Sequence, residues 1–270
     1  MMTAYEKLRT VRSANRPTAS DYIERLFTDR VSLCGDRRFG EDGAISAGVG
    51  FLDGIPVTYI ATEKGKDLQT RMENNFGCPR PEGYRKALRL MKEAEKFRRP
   101  VICLVDTLGA YCGAEAEERG QGQAIAENIL ELTGLRTPTL SLVIGEGGSG
   151  GALALCTTDR VYMLENACYS VISPEGCASI LWKDSARAAD AAEALHITSR
   201  DMYRFGVAEG VFKENFGDLD AMCGEIRRRM ASDLKKLRTL STGELLSNRY
   251  DRFRKFGIYE ENGVRHGAVL

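Results

Sequence analysis

The sequence predicts one α/β domain with a helical C-terminal arm, and two observations carry this prediction. Short apolar runs typical of buried strands alternate with amphipathic stretches of helical period, and the unit of helix, strand, glycine-containing loop and helix occurs twice in series. From about residue 175 onward the pattern is mostly helical. We therefore assign residues 1–15 to a polar N-terminal segment and residues 16–270 to a single domain that includes the arm. Residues 1–20 are polar, and we expect them to be loosely held.

The individual elements follow from apolar periodicity, caps and turn residues. Ser20-Asp21 precedes an apolar-periodic stretch and predicts the start of a helix. Asp53-Gly54, between two alternating runs, is typical of a hairpin turn. Helices are accordingly predicted over 22–27 and 84–97 and through the apolar positions 124, 125, 129 and 132. Strands are predicted over 44–51, 55–61, 101–105, 139–144, 161–164 and 167–172.

Composition excludes several classes of function. Lys plus Arg and Asp plus Glu both number 38, so the formal net charge is zero and gives no overall attraction to nucleic acid or to an anionic membrane. No apolar segment reaches the roughly 18 residues of a membrane span, and the first residues lack the apolar core of a signal peptide. None of the eight cysteines forms a C-x-x-C pair, so no metal site is expected. A cytoplasmic, reduced protein is therefore expected.

The most informative stretch holds five glycines in the seven residues from Gly145 to Gly151. It follows the predicted strand 139–144 and precedes another apolar run, 152–156. Because glycine has no Cβ, its backbone N–H groups can approach a ligand closely. Such a segment is typical of an anion hole built from the main chain alone.

Three interpretations of this segment stay open on the residues alone. Residues 145–150 match G-x-G-x-x-G, the fingerprint of dinucleotide sites. Residues 147–151 match G-x-S-x-G, the nucleophile elbow of serine hydrolases, which would make Ser149 the nucleophile. That mechanism needs a histidine base, and both histidines of the chain are typical of surface positions. The two candidates are His196 and His266.

The third interpretation uses no side chain at all. Pairs of backbone N–H groups would hold a developing oxyanion, such as an enolate or a ureido oxygen. Residues 106–113 form a second glycine-containing loop that also follows a strand and precedes a helix. Two such loops at the carboxyl ends of neighbouring parallel strands would line a polar crevice with N–H donors. For each loop taken alone, the alternative explanation of its glycines is that they allow a helix to pack tightly on a strand.

Five long strings of the sequence are unusual enough to carry a family resemblance. They are NFGCPRPEGYRKALRLM at 75–91, DTLGAY at 106–111, AEERGQ at 116–121, VIGEGGSGGALA at 143–154 and YSVISPEGCASILWK at 169–183. They resemble the carboxyltransferase α subunit of the bacterial-type, multi-subunit acetyl-CoA carboxylase. The resemblance runs from about Arg16 to about Arg254.

This resemblance implies a crotonase-like fold (ClpP/crotonase) of repeated ββα units and an enzyme that is active only with a β subunit of the same fold. Together the subunits, in an α2β2 heterotetramer, would transfer CO2 from carboxybiotin on a biotin carboxyl carrier protein to acetyl-CoA. The product would be malonyl-CoA, in the first committed step of fatty acid synthesis by an ATP-dependent complex that also contains biotin carboxylase. The resemblance implies no cofactor on this chain and zinc only on the β subunit.

The resemblance also implies which residues form the site, since the α subunit of this family mainly supplies the biotin side. The backbone oxyanion hole for the ureido oxygen of biotin falls at Gly150, Gly151 and Ala152. These are backbone roles, in which side chains matter through their shape. Further substrate-binding residues are Gly109, Ala110, Tyr111, Gly147 and Gly148.

The loop that should face biotin departs from the family pattern. Leu108 and Cys112 stand where proline is usual, and Glu115 stands where glycine is usual. Because proline fixes φ and stiffens a loop, the shape of this loop is expected to differ. The same departures would suit a related acyl-CoA carboxyltransferase or decarboxylase subunit, or a non-catalytic paralogue of the same fold.

Overall fold

The structure is a computed structural model that describes residues 2–257 and 259–266, so the last four positions of the predicted domain, 267–270, lie outside the described residues. The strands are β1 (Thr28–Ser32), β2 (Ile45–Leu52), β3 (Ile55–Thr62), β4 (Val101–Thr107), β5 (Thr139–Gly148), β6 (Arg160–Leu164), β7 (Cys168–Ser170), β8 (Gly210–Phe212), β9 (Tyr259–Glu261) and β10 (Val264–His266). The helices are α1 (Ala4–Val11), α2 (Ala19–Leu26), α3 (Leu68–Glu73), α4 (Pro81–Lys96), α5 (Ala114–Glu118), α6 (Gln121–Thr133), α7 (Ser149–Cys156), α8 (Pro174–Trp182), α9 (Ala188–Ala194), α10 (Ser199–Arg204), α11 (Leu219–Leu237) and α12 (Thr242–Arg254).

One mixed sheet organises these elements in the order β1-β2-β3-β4-β5-β6-β8. The strands β1, β2 and β3 are antiparallel neighbours, whereas every pair from β3 to β8 is parallel. The short strand β7 adds a parallel pairing to the carboxyl end of β5, and β9 and β10 form a separate hairpin. Parallel strands joined through helices confirm the predicted α/β class.

The central strands β4 and β5 are buried along their whole length, as their nearly continuous apolar runs predict. The predicted hairpin between β2 and β3 is confirmed, with Asp53 at φ 50° and Gly54 at φ 75°. Two successive positive φ values match the right-handed twist of the flanking strands. Among the described residues, no helix combines the length and the apolar character needed to cross a bilayer.

The glycine segment, predicted as a loop, is instead the end of a strand and the start of a helix. The strand β5 continues to Gly148, and α7 begins at the next residue. Thr107 of β4 pairs with Gly147 on one side, and Cys168 of β7 pairs with Glu146 on the other. Glycine has low strand propensity, so the neighbouring strands impose the extended conformation here.

The N-terminal segment was expected to be loosely held, but the structure shows that it forms the helix α1. This helix begins with a capping box in which Thr3 and Glu6 bind each other's backbone N–H groups. Its buried face places Leu8 and Val11 in a small apolar cluster with Ile197. The segment looks polar in sequence because only one narrow stripe of this short helix is apolar.

Arg249 fastens the C-terminal arm to the sheet domain. Its side chain is fully buried, and its guanidinium donates to both carboxylate oxygens of Asp159, at 2.7 and 2.9 Å. The other N–H groups donate to backbone carbonyls at the end of α6 and just beyond it, which fixes α12 against that helix. The accepting carbonyls are those of Leu132, Thr133, Leu135 and Thr137.

Candidate active site

The candidate site lies where the neighbouring parallel strands β4 and β5 end. Thr107, the last residue of β4, pairs with Gly147 near the end of β5. Residues 108–113 follow β4 and are called the facing loop below, and α7 follows β5 at Ser149. The two connections that the sequence predicted to be neighbours therefore meet at one edge of the sheet, where α/β proteins bind ligands.

Close packing explains why glycine is needed at this edge. A Cβ on Gly148 would overlap the carbonyl group of Leu108. A Cβ on Gly151 would lie 2.8 Å from both the carbonyl carbon of Gly109 and the nitrogen of Ala110. Because neither glycine has a Cβ, the backbone of the facing loop rests directly on the start of α7.

Hydrogen bonds hold the backbone of the facing loop. Thr107 Oγ1 donates to the Gly109 carbonyl at 2.7 Å and accepts from the Gly109 N–H at 3.1 Å, and Gly109 has φ 147°. The Tyr111 N–H donates to the Pro79 carbonyl at 3.0 Å. The Gln121 amide donates to the carbonyls of Pro79 and Tyr111, at 2.8 Å each. The loop is thus tied at both ends.

The side chain of Tyr111 adds a second brace, next to the positions that depart from the family pattern. The Arg80 guanidinium carbon lies 4.8 Å from the centre of the Tyr111 ring. The Glu115 carboxylate packs against Gly113 on the same side as this ring. The pKa of Glu115 is lowered by hydrogen bonds to its carboxylate. The first of these comes from the backbone N–H of Glu115 itself, and the second comes from the Tyr111 side chain. The facing loop therefore has a defined shape without the two usual prolines.

A polar cavity of about 550 Å3 opens beside the point where the loop and α7 meet. Leu108 from the facing loop and Gly147 and Gly148 from β5 form one of its walls. Ser170 from β7 and Ser173 at the cap of α8 also line it. The cavity therefore reaches the main chain of the glycine segment from the β7 side.

Ion pairs also line this cavity. Lys64 Nζ lies 2.6 Å from an Asp106 carboxylate oxygen. The Arg12 guanidinium lies 2.9 Å from a Glu146 oxygen and 2.7 Å from a Glu175 oxygen. Burial opposes the charge on Arg12, but the hydrogen bond and charge of Glu146 outweigh it and raise the pKa of Arg12. In the described part of the chain, no three side chains of His, Cys, Asp or Glu form a group that could hold a metal ion.

The ion pairs of Arg12 were not predicted from the sequence. Arg12 and Glu146 are 134 residues apart, and Arg12 and Glu175 are 163 residues apart. No local pattern connects such distant positions. The only sequence signal was an acidic residue, Glu146, inside a run of glycines and directly after an apolar strand.

A second, apolar cavity of about 390 Å3 lies at the start of α7. Ser149, Gly150 and Leu153 of α7 line it, together with Phe253 and Phe256 of the C-terminal arm. The glycine segment thus contributes residues to both cavities, one of which is lined by ion pairs and the other by aromatic side chains.

The site residues predicted in the glycine segment do not all line the same cavity. Gly147 and Gly148 line the polar cavity, and Gly150 lines the apolar one. Gly151 and Ala152 are buried and line neither of the two.

The predicted residues of the facing loop differ in the state of their N–H groups. Gly109, Ala110 and Tyr111 are all partly exposed. The N–H groups of Gly109 and Tyr111 are engaged by Thr107 and Pro79, whereas the Ala110 N–H has no acceptor among the described residues. Of these three residues, Ala110 is the one whose N–H is available to a ligand.

Ser149 has the backbone shape of a nucleophile elbow but lacks a base. It is exposed on the turn between β5 and α7 and has φ 52°. The His196 ring lies 3.9 Å from Asp201 and packs edge-on against Phe205. The side chain of His266 lies outside the described residues. A hydrolase mechanism would need a histidine bonded to the serine hydroxyl, and none is found within the described residues.

We expect no reaction of Ser149 with a fluorophosphonate probe, because an exposed serine without a general base is not activated. Gel fluorescence and intact mass after incubation measure the labelling, with a serine hydrolase as positive control. Stoichiometric labelling that disappears in Ser149→Ala would support the hydrolase interpretation and contradict this expectation.

The packing around the glycines does not support the dinucleotide interpretation. A Cβ on Gly145 would overlap the Asp106 carboxylate, and one on Gly147 would overlap the Tyr169 ring. Both glycines are thus required by neighbouring side chains. Residues 146–148 also pair with β7, and Gly147 pairs with β4 as well, so they do not form the loop that would wrap a pyrophosphate.

Nearly the whole chain is similar to known proteins of one family. The family model described as acetyl co-enzyme A carboxylase carboxyltransferase-like matches residues 1–257. The acetyl-coenzyme A carboxylase carboxyl transferase subunit alpha of Ruminiclostridium cellulolyticum is 54% identical over 257 residues, covering 95% of this chain and 99% of that protein. The subunits beta/alpha protein of Clostridium tetani is 49% identical, covering 96% of this chain and 46% of that protein. The transcarboxylase 12S structure superposes with a TM-score of 0.69 at 19% identity, covering 85% of this chain and 44% of that chain. This structural similarity shows that the chain has a crotonase-like fold.

Proposed function

The chain belongs to the family of acetyl-CoA carboxylase carboxyl transferase alpha subunits, and we propose that it forms the biotin side of a carboxyl-transfer site. A β subunit would supply the acyl-CoA side, in an α2β2 assembly in the cytoplasm. The carboxyl donor would be carboxybiotin, borne by a biotin carboxyl carrier protein and loaded by biotin carboxylase. The acceptor would be acetyl-CoA and the product malonyl-CoA.

The observation that supports this proposal is the contact of the facing loop with the start of α7. Both follow neighbouring parallel strands, and both present backbone N–H groups at the same edge of the sheet. The N-terminus of a helix carries partial positive charge and favours an anion. A pair of such connections is suited to hold an oxygen that gains negative charge, and it needs no nucleophile.

The chemistry of carboxyl transfer requires such a group of donors. When the N–CO2 bond of carboxybiotin breaks, the electron pair stays on biotin and its charge spreads to the ureido oxygen. The biotin anion then takes a proton from the methyl group of acetyl-CoA, and the resulting enolate attacks the released CO2. Donors that stabilise the ureido oxygen lower the barrier of the first step, by about 2.7–4 kcal/mol for each donor in comparable sites.

The apolar cavity beside Gly150 suits the hydrocarbon part of the biotin ring system. Aromatic side chains from the C-terminal arm, Phe253 and Phe256, would contact the ring. The ureido oxygen would then point toward Gly150, Gly151 and Ala152, with the facing loop on its other side. This proposal assigns no cofactor to the chain itself and leaves zinc to the β subunit.

The reverse reaction tests this function and separates it from its rivals. The chain is co-expressed with the β subunit from the same source, and the purified complex is given malonyl-CoA with and without free biotin. Conversion to acetyl-CoA is followed by chromatography. We expect acetyl-CoA only when biotin is present, because biotin must accept the carboxyl group.

Two outcomes would contradict the proposal. Decarboxylation at the same rate without biotin would indicate a decarboxylase of the same fold. An intact complex that converts no malonyl-CoA in either condition would indicate a non-catalytic paralogue.

We further propose that the β subunit covers the outer face of α8. Val171 before this helix and Ile180 and Leu181 within it are 73%, 60% and 66% exposed. Large apolar side chains exposed near one helix are suited to a protein interface. The occurrence of the β and α sequences in one chain of a relative supports the β subunit as the occupant.

We expect Leu181→Asp to weaken association with the β subunit by at least about tenfold, since a buried leucine contributes about 1.5–3 kcal/mol. Sedimentation velocity of mixed subunits measures the change. The control is Phe97→Asp. Phe97 is 60% exposed and directly follows α4, near the amino ends of the parallel strands. Equal association of Leu181→Asp and the unaltered chain would contradict the assigned surface.

A further inference from the structure

Arg71 is a cation of the polar cavity that has hydrogen-bond donors to spare. It lies on α3, is partly exposed and lines the cavity together with Gly148 of β5. Its Nε donates to the Gly65 carbonyl at 3.1 Å, and one terminal nitrogen donates to the Ala14 carbonyl at 3.3 Å. The other terminal nitrogen has no acceptor among the described residues. The main chain thus holds the guanidinium in place and leaves N–H groups available to a ligand.

The other charged side chains of this cavity are already paired. The three other cations that line it have carboxylate oxygens at 2.5–2.9 Å, in the pairs Lys64 with Asp106, Arg12 with Glu146 and Glu175, and Arg16 with Glu214. Arg71 has no carboxylate oxygen within 4.0 Å in the described part of the chain. It is therefore the cation of this cavity that is left for an anion from outside the chain.

The surroundings of Arg71 also suit an anion. Arginine binds a carboxylate through charge-assisted hydrogen bonds, which are stronger than neutral ones. Two helices begin at this cavity, because Gly148 is the N-cap of α7, Ser173 is the N-cap of α8, and both residues line it. The partial positive charge at the N-terminus of a helix favours an anion as well. The polar cavity is thus suited to a small anionic group.

The chemistry of carboxyl transfer supplies such a group. In carboxybiotin, the carboxylate is bonded to the ring nitrogen next to the ureido carbon, so it lies beside the ureido oxygen. The proposed oxyanion hole places that oxygen at the start of α7, and Gly148, which directly precedes α7, lines the polar cavity. A carboxylate attached beside the oxygen would then extend into the cavity that contains Arg71.

We propose that Arg71 binds the carboxylate of carboxybiotin in the polar cavity, and that it thereby distinguishes the carboxylated carrier protein from the uncarboxylated one. This inference rests on the proposed function and adds to it a side chain that recognises the group to be transferred. The helix α3 buries none of its residues, so packing in the core does not account for an arginine at this place.

The substitution Arg71→Met in the α–β complex tests this role. In the forward reaction, we expect KM for the carboxylated carrier protein to rise by about tenfold or more, because a charge-assisted hydrogen bond is lost. We expect KM for acetyl-CoA to stay within about twofold. We expect kcat to be unchanged or higher, since the charge on the transferred group falls as CO2 leaves. Calorimetric titration with uncarboxylated carrier protein should give the Kd of the unaltered complex.

Further variants separate recognition of the carboxylate from the tie to the main chain. Arg71→Lys keeps the positive charge and should recover most of the affinity, whereas Arg71→Gln keeps a donor without the charge and should not. Arg99→Met is the matched control. Arg99 is also partly exposed and donates to the Thr58 hydroxyl at 3.3 Å, but it lies just before β4, at the end of that strand opposite to the site. We expect Arg99→Met to keep the KM of the unaltered complex.

Two results would overturn the inference. One is an equal KM for the carboxylated carrier protein in Arg71→Met and Arg99→Met. The other is an equal loss of affinity for carboxylated and uncarboxylated carrier protein in Arg71→Met, because the carboxylate would then make no difference. An unaltered complex without turnover would overturn the proposed function instead, and this inference with it.

Discussion

The substitution Gly151→Val is expected to reduce turnover by the α–β complex by about 100-fold to 1,000-fold, the loss seen when an oxyanion donor is removed. Any Cβ at this position meets the backbone of Gly109 and Ala110 at 2.8 Å, and backbone atoms cannot rotate away as a flexible side chain can. The facing loop must therefore move off α7. The backbone N–H groups of the loop and of α7 would then lose the relative placement that the proposed oxyanion site requires.

The frame of the domain should survive this substitution. Extra methyl groups in a packed interior typically cost about 1–3 kcal/mol, which a chain of this size tolerates. Far-ultraviolet circular dichroism and the melting temperature check the fold, and steady-state kinetics of the complex measure the activity. The control is Gly122→Ala in α6, where a new Cβ meets nothing within 4 Å. If Gly151→Val turned over as fast as Gly122→Ala, the contact between loop and helix would have no catalytic role.

The substitution Arg249→Met is expected to destabilise the chain by about 3–5 kcal/mol, the cost of breaking a buried ion pair from one side. Asp159 would keep its charge in a buried place without its cation, although it would still accept from the Thr139 N–H at 2.7 Å and hydroxyl at 3.0 Å. The four carbonyls that accept from Arg249 would each also lose this donor. Methionine fills a similar volume and supplies no N–H group.

Urea denaturation followed by circular dichroism measures this loss. The matched control is Arg254→Met, which removes the same positive charge from an exposed position on the same helix. Surface substitutions of this kind usually change stability by no more than about 0.5 kcal/mol. Equal unfolding midpoints for the two variants would show that Arg249 does not anchor the arm.

The elements with strong local signals were predictable from the sequence. The strands β2, β3 and β4 begin and end within two residues of the predicted bounds, because apolar alternation and the Asp53-Gly54 turn act locally. The helix α4 starts three residues earlier than predicted, at Pro81, where proline suits the first helical position.

The glycine segment was predicted correctly as a place of close backbone approach and wrongly as a loop. Extended conformation at Gly147 and Gly148 comes from pairing with β4 and β7, which are distant in sequence. Local propensity points the other way, because glycine disfavours strands. Tertiary pairing therefore decides the conformation of Gly147 and Gly148, which belong to the proposed site.

The charged side of the site could not be predicted for a related reason. Lys64 and Asp106 meet because β3 and β4 are neighbours in the sheet. Arg12 follows α1, in a segment that the sequence predicted only as polar. Ion pairs have no periodicity that a sequence displays. The brace at Tyr111 was equally hidden, since Glu115 appeared only as a departure from the family pattern.

The most direct test of the central claim is the forward reaction. The α–β complex is mixed with carboxylated carrier protein and acetyl-CoA, and malonyl-CoA is quantified by mass spectrometry. We expect one malonyl-CoA for each carboxybiotin consumed, with no product from either subunit alone. A correctly assembled complex that leaves both acetyl-CoA and carboxybiotin unchanged would contradict it.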